Sequence, residues 1–459
     1  MLKSKIKQKN EEKFCQNLHN LKYYIIFAAY FSLHYGYRKS FNSMLEELSF
    51  RNLYSFRDEV CLSFEATSDT MGEGTYAVSM PDGKRLLRFV LIYGANAAGK
   101  SNVLKALNFL REFVFATPDT IDAGTQVVPF RLDTDSLNKS SYIGARFYAN
   151  GLRYHYELEL DSKQVLLEKL SVYHSNQPTM LFERTNTDGT SAIKFNSSVV
   201  KLSQAARDEI ALRCYRNMSL FAARGQVNIA IPLIDEAREW FRLALSKMIN
   251  PDDRMFRKAQ EMIEADDNVK KDLLSFIKYA DFNVVDLQTN RVQVKLTDEV
   301  RDLFMKAGEK IPTFLSTNFV HKVTGENGEE YYTLPSNLQS RGTQRILGIE
   351  SAIYSANTKS SVLPIDEIDS SLHPDLVEYL IYQFLRSDAQ SQMIATTHSD
   401  SLLDTIDDLL RKDSIWFAEK QPNGNSELYS LVEYKGLNKI SSFRRSYRGG
   451  RFGAIPNIR

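Results

Sequence analysis

The sequence predicts an α/β fold in which a parallel sheet carries a phosphate-binding site at one edge. An apolar strand over residues 86–93 runs into the glycine-rich loop Gly94–Ser101, and an amphipathic helical pattern follows the loop. Two later apolar strands end in chemically active side chains, because residues 362–367 end in two acids and residues 392–399 end in a histidine and a serine. The carboxyl ends of parallel strands meet at one edge of a sheet, where ligands bind in open α/β folds. These stretches are therefore expected to form one P-loop nucleotide-binding domain.

The loop matches the phosphate-binding pattern G-x-x-x-x-G-K-[ST] at every fixed position. Gly94 and Gly99 let the backbone turn its N–H groups towards an anion, and the N-terminus of the next helix adds a partial positive charge. The Lys100 ammonium is expected to reach the β- and γ-phosphates, and the Ser101 hydroxyl to ligate Mg²⁺. A chance glycine-rich turn is the plainer alternative, but it leaves the flanking strand and helix unexplained. The predicted cradle comprises Gly94, Ala95, Asn96, Ala97, Ala98, Gly99, Lys100, Ser101 and Asn102.

The acids and the histidine supply the second half of the predicted chemistry. Pro364 interrupts the acid-bearing strand, which predicts a late start or a kink. An Asp at such a strand end holds Mg²⁺ in P-loop NTPases, so Asp366 is assigned to the metal. Glu367 is placed to deprotonate the attacking water, and His398 to hydrogen-bond a γ-phosphate or that water. Solvated acids and a structural histidine remain the plainer alternatives. The predicted catalytic residues are Glu367, His398 and Lys100.

Composition restricts the class of protein. A chain of 459 residues predicts two or three domains, and a hydrophobic content of 43% is enough for a sizeable core. The net charge of +1 provides no global field for nucleic acid or anionic lipid. The three cysteines are scattered and form neither a metal nor a disulfide pattern, which favours the cytoplasm.

The chain divides into four predicted parts. Residues 1–43 begin with a basic stretch and carry an aromatic run, Tyr23 to Phe31, that is too short to span a membrane. The favoured interpretation is that translation starts at Met44; a packed extra helix and a membrane contact are the alternatives. No stable membrane association is expected. Residues 44–200 hold the phosphate loop and an antiparallel sheet. Residues 201–315 read as a mainly helical insertion. Residues 316–459 hold a hairpin and the second half of the site. The antiparallel strands are predicted at Ser141–Tyr148, Tyr154–Leu160, Leu166–Tyr173, Met180–Arg184 and Ala192–Phe195.

A Ser-x-Gly segment, Ser340-Arg341-Gly342, precedes a predicted helix at Ile346–Ser355. Such a segment at a helix N-terminus is a second candidate anion cradle. The plainer interpretation is an ordinary N-cap.

In this order, the motifs resemble the ABC-type ATPase domain of the SMC, RecF and OLD families. The resemblance implies an ABC-ATPase-like head with an antiparallel β subdomain and a helical insertion. It also implies a homodimer, or a higher homo-oligomer, that closes head to head on two ATP molecules with Mg²⁺. Asp369 would match the Asp loop, and Gln126 is the nearest candidate for the glutamine loop. Each site would combine Gly94–Ser101, Asp366, Glu367 and His398 of one copy with Ser340 and Gly342 of the other.

The segment Ser340–Gln344 departs from the L-S-G-G-Q signature of transport ATPases. Its form and the tail Gly450–Pro456 are similar to compact bacterial ATPases of the AAA family, including RloA-type and abortive-infection ATPases of anti-phage systems. The resemblance, over residues 44–459, implies an ATPase that converts ATP and water to ADP and phosphate. It would act as the sensor of a prokaryotic anti-phage defence system, with a separate nuclease or Toprim-like effector, because no acidic metal cluster of its own follows His398.

A RecF/SMC-like DNA-binding ATPase in DNA repair or maintenance is the alternative function. Arginines and aromatic residues alternate in the tail, a combination that suits phosphate and base contacts. A solvated or partner-binding tail is the plainer interpretation. The residues concerned are Arg444, Arg445, Arg448 and Arg451, with Phe443, Tyr447 and Phe452.

Overall fold

The computed structural model describes residues 43–187, 190–281, 283–326 and 328–456. The N-terminal segment that the sequence sets apart, residues 1–43, lies outside them except for its last residue. Within the described part of the chain, no helix is long and apolar enough to cross a membrane.

The described residues contain the following strands and helices in chain order. The strands are β1 (Met44–Arg51), β2 (Val60–Ser63), β3 (Ala77–Ser79), β4 (Arg85–Leu87), β5 (Phe89–Tyr93), β6 (Ser141–Ala149), β7 (Leu152–Leu160), β8 (Val165–Tyr173), β9 (Pro178–Thr187), β10 (Thr190–Phe195), β11 (Val284–Gln293), β12 (Thr313–Gly325), β13 (Gly328–Pro335), β14 (Val362–Ile365), β15 (Gln392–Thr396), β16 (Ile415–Lys420) and β17 (Ser426–Ser430). The α-helices are α1 (Lys100–Phe113), α2 (Gln204–Arg213), α3 (Leu220–Arg224), α4 (Pro232–Glu239), α5 (Phe256–Ala265), α6 (Asp267–Ala280), α7 (Asp298–Ala307), α8 (Arg341–Lys359), α9 (Pro374–Arg386) and α10 (Phe443–Arg448).

A five-stranded sheet with the order β14-β15-β5-β16-β17 carries the predicted site. The first four strands run parallel and β17 runs antiparallel to β16. All five residues of β5 are buried at the centre of this sheet. The carboxyl ends of β5, β14 and β15 therefore lie side by side at one edge, as the sequence predicts.

Pro364 lies inside β14 without ending it. The hydrogen bonds of Val362, Pro364 and Asp366 run to the neighbouring segment 246–249, where Ile249 N donates to Pro364 O over 2.9 Å. Successive residues of a strand face opposite neighbours, so the missing N–H of the proline faces this short edge segment and not β15. The strand keeps its pairing with β15 from Val362 to Ile365.

The antiparallel sheet predicted from residues 126–200 is confirmed as part of a seven-stranded sheet, β10-β9-β8-β7-β6-β1-β2. Alternate residues of β7 are buried, as expected for a sheet with one covered face. Aromatic side chains fill that face; the rings of Phe147 and Trp240 stack with centroids 4.1 Å apart. This sheet and α1 share the largest hydrophobic core, which thereby supports the phosphate loop.

The range predicted as a mainly helical insertion is divided among three parts of the fold. Helices α2–α4 belong to the core of the seven-stranded sheet, and residues 246–249 pair with β14. Helices α5 and α6 pack on α8. Residues 284–293 of the same range form strand β11, which joins β12 and β13 in a three-stranded antiparallel sheet. The predicted hairpin is confirmed as β12 and β13.

The strand predicted at residues 86–93 is broken at Arg88. Residues before it pair with β3, and those after it form β5. The buried Arg88 guanidinium donates to backbone carbonyls that include Phe384 O at 3.0 Å and Leu385 O at 2.9 Å. Burial lowers the pKa of Arg88 to about 10. The side chain fastens the end of α9 to the amino end of β5, at the opposite end of the strand from the phosphate loop.

Candidate active site

The phosphate loop has backbone angles that require small residues. Gly94 and Gly99 have φ values of 154° and 111°. A Cβ at Gly94 would lie 2.3 Å from Ala418 O, which no side chain can tolerate. Ala97 also takes a positive φ of 61°, and both it and Asn96 are exposed at the tip of the loop.

Helix α1 begins at the loop with its first N–H groups uncapped. Gly99, the N-cap, offers no side-chain hydrogen bond, and the first turn carries no acid. Most helices satisfy these donors with an Asp, Ser or Thr side chain. The free donors and the helix dipole fit the phosphates of a nucleotide, as the motif predicts.

Lys100 points back across the loop and is almost fully buried. Its ammonium donates to Gly94 O at 2.8 Å and to Ala95 O at 3.1 Å, and it lies 3.2 Å from His398 Nδ1. Burial is the largest influence on Lys100 and lowers its pKa to about 8, against the opposing attraction of Asp366 and Glu367. A cation held at this position is available to an incoming phosphate.

Ser101 and Asp366 meet, as predicted for a pair of Mg²⁺ ligands. The Ser101 hydroxyl donates to Asp366 Oδ1 over 2.9 Å. Thr396 donates to the same carboxylate oxygen over 2.6 Å and accepts from the backbone N–H of Glu367 over 2.8 Å. Two hard oxygen ligands at the mouth of a phosphate loop fit Mg²⁺, which takes one or two carboxylates together with substrate phosphates.

Glu367 and His398 lie together at the open side of the cluster. Glu367 Oε1 is 3.4 Å from His398 Nε2, and each side chain is about a third exposed, at 37% and 36%. Glu367 has a φ of 46°, uncommon for this residue type, and its carbonyl accepts from Arg345 Nη2 over 3.0 Å. The Asp369 carboxylate approaches the backbone N–H of His398, with Oδ1 3.4 Å from N. The Glu367 carboxylate therefore lies at a position that water can reach.

The Ser-x-Gly segment is the N-terminus of α8. Ser340 is the N-cap and accepts from Thr343 N over 3.0 Å, which agrees with the plainer interpretation and leaves the helix end exposed. A Cβ at Gly342 would lie 2.8 Å from Ser371 O, so the helix packs closely on the segment that follows Asp369. Within the described chain, Ser340 and Gly342 form no hydrogen bond with the phosphate loop.

Gln126 makes no hydrogen bond with the phosphate loop or the acids among the described residues. Its side chain is exposed, and its one side-chain hydrogen bond among the described residues runs to Gly124 O at 3.5 Å. Its assignment to a glutamine loop therefore stays a prediction.

Four polar residues at the site were not predicted from the sequence. Thr396 and Arg345 hold the acid pair, as described above. Ser55 accepts from Asn102 Nδ2 over 2.8 Å and from Ser426 Oγ over 2.8 Å. The two serine hydroxyls occupy the space that a Cβ at Gly99 would need. Thr396 alone has a local signal, since it is the last residue of β15 and lies two positions before His398. The serines come from segments distant in sequence.

The C-terminal tail does not present the face that the DNA-binding alternative requires. The aromatic rings of Phe443, Tyr447 and Phe452 are buried, so they cannot stack on bases. Arg444 Nε lies 3.0 Å from Asp400 Oδ1, and Arg448 also binds that carboxylate. The tail helix is therefore attached to the loop that follows His398.

Comparison with protein families gives one match, over residues 89–198 and 232–404. The family is described as "AAA domain, putative AbiEii toxin, Type IV TA system". The matched stretches cover more than half of the chain and contain the phosphate loop, both acids and His398. Comparison with curated proteins gives no match. The family match and the strand order confirm the predicted α/β P-loop NTPase fold with its antiparallel subdomain.

Among solved structures, the chain is similar to several SMC head domains. The head domain from Thermotoga maritima has 15% identity and a TM-score of 0.39, over 84% of this chain and 98% of that one. An SMC head bound to the C-terminal winged-helix domain of ScpA has 14% identity and a TM-score of 0.43, over 86% and 99%. An Smc head with an extended coiled coil, bound to the C-terminal domain of ScpA and derived from Pyrococcus furiosus, has 12% identity and a TM-score of 0.38, over 85% and 97%. At these identities and TM-scores, the likeness says nothing about function.

Proposed function

The chain belongs to the AAA-domain family described as putative AbiEii toxin of type IV toxin–antitoxin systems, and from this premise we propose that it hydrolyses ATP as a dimeric switch. The family supplies the nucleotide-binding fold. The hydrolytic step and the dimer are argued from the site itself.

One observation carries the proposal: five side chains with complementary chemistry converge at the ends of three parallel strands. The cation lies next to the imidazole, the imidazole next to one carboxylate, and the hydroxyl next to the other carboxylate, and Thr396 joins the two acidic residues. This set suits phosphoryl transfer to water, which needs positioning and charge stabilisation more than covalent chemistry. The residues are Lys100, Ser101, Asp366, Glu367 and His398.

Binding is assigned to the loop and to the residues that flank it. The uncapped N–H groups of α1 and the Lys100 ammonium hold the phosphates, and Lys100 exchanges a loop carbonyl for phosphate oxygen. Ser101 and Asp366 would hold Mg²⁺, which neutralises charge on the β- and γ-phosphates when bound. Asn102 donates to Ser55, whose hydroxyl lies against Gly99 of the loop.

Water activation is assigned to Glu367. Its carboxylate is the accessible acid of the pair, whereas Asp366 is buried and already accepts from Ser101 and Thr396. A base must have a free lone pair directed at the water that it deprotonates. His398 lies next to Glu367. Its Nε2 donates either to the Glu367 carboxylate or to a γ-phosphate oxygen.

A second copy completes the site. The N-terminus of α8 is exposed, carries no acid in its first turn and makes no hydrogen bond to the loop of its own chain. Ser340 and Gly342 are therefore assigned to the γ-phosphate held by the other copy. ATP then favours the closed pair because only the closed pair offers both sets of contacts, and hydrolysis removes that differential affinity.

The biological role is assigned to prokaryotic defence, with a separate effector protein. The support is the family description, which names a toxin of a toxin–antitoxin system. Co-expression with the proteins encoded beside this chain tests the assignment: a stable complex that cuts nucleic acid only as a complex supports it. Nuclease activity of this chain alone would contradict the separate effector.

The hydrolytic function is tested by the release of phosphate from ATP with Mg²⁺ and with EDTA. We expect turnover that depends on Mg²⁺ and is lost in Asp366→Asn. Tight ATP binding without any turnover under all conditions would contradict hydrolysis and leave only a nucleotide-binding protein.

A further inference from the structure

Strand β13 presents an exposed, unpaired edge outside the nucleotide site. It is the last strand of the sheet β11-β12-β13 and seven of its eight residues are exposed. Tyr331 and Tyr332 are 60% and 53% exposed, and Leu334 is 38% exposed. Exposed edges with large apolar side chains are templates for pairing with another strand.

The free backbone groups of this edge can be assigned residue by residue. Lys322 N on β12 donates to Asn283 O, which lies next to β11. The backbone groups of successive residues point to opposite sides of a strand, so the N–H and C=O groups of even-numbered residues of β12 point to β11 and those of odd-numbered residues point to β13. Their partners are even-numbered: His321 pairs with Tyr332, and Val323 with Glu330. The N–H and C=O groups of Glu329, Tyr331 and Thr333 therefore point outward. Pro335 has no N–H and limits the free edge to these three residues.

We infer that this edge pairs with the same edge of a second copy of the chain, antiparallel about a two-fold axis at Tyr331. In this register Tyr331 lies opposite itself and Glu329 lies opposite Thr333, so the outward N–H and C=O groups of these three residues find partners. No carboxylate faces a carboxylate, because Glu330 lies opposite Tyr332. Like charges directly opposite each other would destabilise the pairing.

The position of the edge in the chain supports a second copy as its occupant. Only residues 336–339 separate β13 from Ser340, the residue that the proposed function assigns to the nucleotide of the other copy. The exposed Leu338, at 66%, lies in this connection. A pair of two copies has a single two-fold axis, so the inference requires that both contacts lie on the same axis.

The consequence rests on the proposed function. Pairing through β13 uses no nucleotide, so the two copies stay together before ATP binds. Closure of the two nucleotide sites then takes place within an existing dimer. The effective concentration of each helix end at the partner's site is set by residues 336–339, which connect the two contacts. The pairing itself is independent of whether the chain hydrolyses ATP.

Sedimentation of the nucleotide-free protein at about 10 μM tests the pairing, because an interface with a micromolar Kd is populated there. We expect a dimer, and at least a tenfold higher Kd for Tyr331→Pro, which removes an outward N–H and no hydrogen bond within the chain. Tyr331→Phe is the matched control and keeps the wild-type Kd. Lys100→Ala should keep the nucleotide-free dimer, so loss of hydrolysis and loss of pairing are separate results.

A disulfide provides a second test that does not rely on proline. Paired residues that exchange both hydrogen bonds have Cα atoms about 5.5 Å apart, within disulfide range. In a background without the three native cysteines, Tyr331→Cys should crosslink two copies without nucleotide, whereas Leu212→Cys, 81% exposed elsewhere, should not. A nucleotide-free monomer, equal crosslinking of the two variants, or a neighbour-encoded protein on β13 in place of the second copy would overturn the inference.

Discussion

The Lys100 ammonium lies 3.2 Å from Nδ1 of His398, across the mouth of the phosphate loop. Because an ammonium can only donate, the imidazole accepts at Nδ1 and carries its proton at Nε2. That nitrogen is 3.4 Å from Glu367 Oε1, so the phosphate-binding cation is linked through the histidine to the proposed base. We expect a phosphate that draws Lys100 away to release the imidazole from this contact.

Replacement of Lys100 by Ala should weaken ATP binding and lower kcat/KM. The ammonium makes charged hydrogen bonds, each worth about 1.5–3 kcal/mol, so we expect a loss of roughly ten- to a hundredfold. Lys105→Ala is the matched control, since Lys105 lies on the exposed face of the same helix. Calorimetric titration with ATP measures the effect; equal affinity in the two variants would contradict the assignment.

ATP affinity should fall as pH rises above about 8. Burial lowers the pKa of Lys100 to about 8, so the free protein loses the ammonium proton there and must regain it to bind phosphate. Each pH unit above that value should cost up to about tenfold in affinity. Lys100→Arg keeps its charge at these pH values and should lose the slope, whatever its absolute affinity. Titrations between pH 7 and 9.5 test this, and parallel slopes would refute the role of Lys100.

Thr396→Val should reduce kcat more than it raises KM for ATP. The Thr396 hydroxyl donates to the Asp366 carboxylate and accepts from the backbone N–H of Glu367, so its loss removes one hydrogen bond from each acidic residue. Loss of one buried hydrogen-bonding group costs about 1–3 kcal/mol, which corresponds to roughly a tenfold or larger fall in turnover. Thr396→Ser keeps the hydroxyl and should restore activity. Equal rates for the Val and Ser variants, with equal Mg²⁺ dependence, would show that Thr396 only fills space.

The sequence predicts those parts of the fold whose local pattern is strong, and it misses residues that act through distant contacts. The phosphate loop and the acids at the end of β14 are recognisable because each follows a run of buried residues. Strand β11 is not, because it buries only Val284 and Leu287 and otherwise shows a polar pattern. Ser55 and Ser426 come together through the tertiary fold, which no local signal reveals.

In the tail, a local sequence pattern suggests a function that the tertiary structure does not support. The alternation of arginines with aromatic residues suits nucleic acid, but the aromatic residues are core and Arg444 and Arg448 bind Asp400, two residues after His398. Arg444 and Arg448 share a partly buried carboxylate, since the Asp400 side chain is 18% exposed. Their expected effect is to position the histidine loop.

Reversal of this charge contact should lower kcat and be rescued by reversal of both sides. We expect Asp400→Arg to reduce turnover several-fold at unchanged ATP affinity, and Asp400→Arg combined with Arg444→Asp and Arg448→Asp to recover part of it. Arg445→Ala is the control, because Arg445 is exposed and its side chain has no hydrogen bond or ion pair within the described chain. Steady-state kinetics with a measured Kd separate the two effects, and a failure of the triple variant to recover would count against the contact.

Glu367→Gln should stop hydrolysis and hold the ATP-bound closed state. Loss of a general base typically costs about 10²–10⁴-fold in rate, while the phosphate contacts remain. Combined with Tyr331→Pro, which should be monomeric without nucleotide, the variant should become dimeric when ATP is added. ADP should not have this effect. A double variant that binds ATP and stays monomeric would contradict closure on ATP.

The central claim is that each hydrolytic site is built from two copies of the chain, and trans-complementation tests it most directly. Lys100→Ala disables the loop and Gly342→Asp disables the helix end, so each variant alone should show at most a few per cent of the wild-type rate at an ATP concentration near the wild-type KM. Co-expressed and purified through two different tags, the mixed dimer contains one site with an intact loop from one copy and an intact helix end from the other. We predict that its ATPase activity returns to a substantial fraction of the wild-type rate. Full activity of Gly342→Asp alone, or a mixed dimer as inactive as its parents, would contradict the claim.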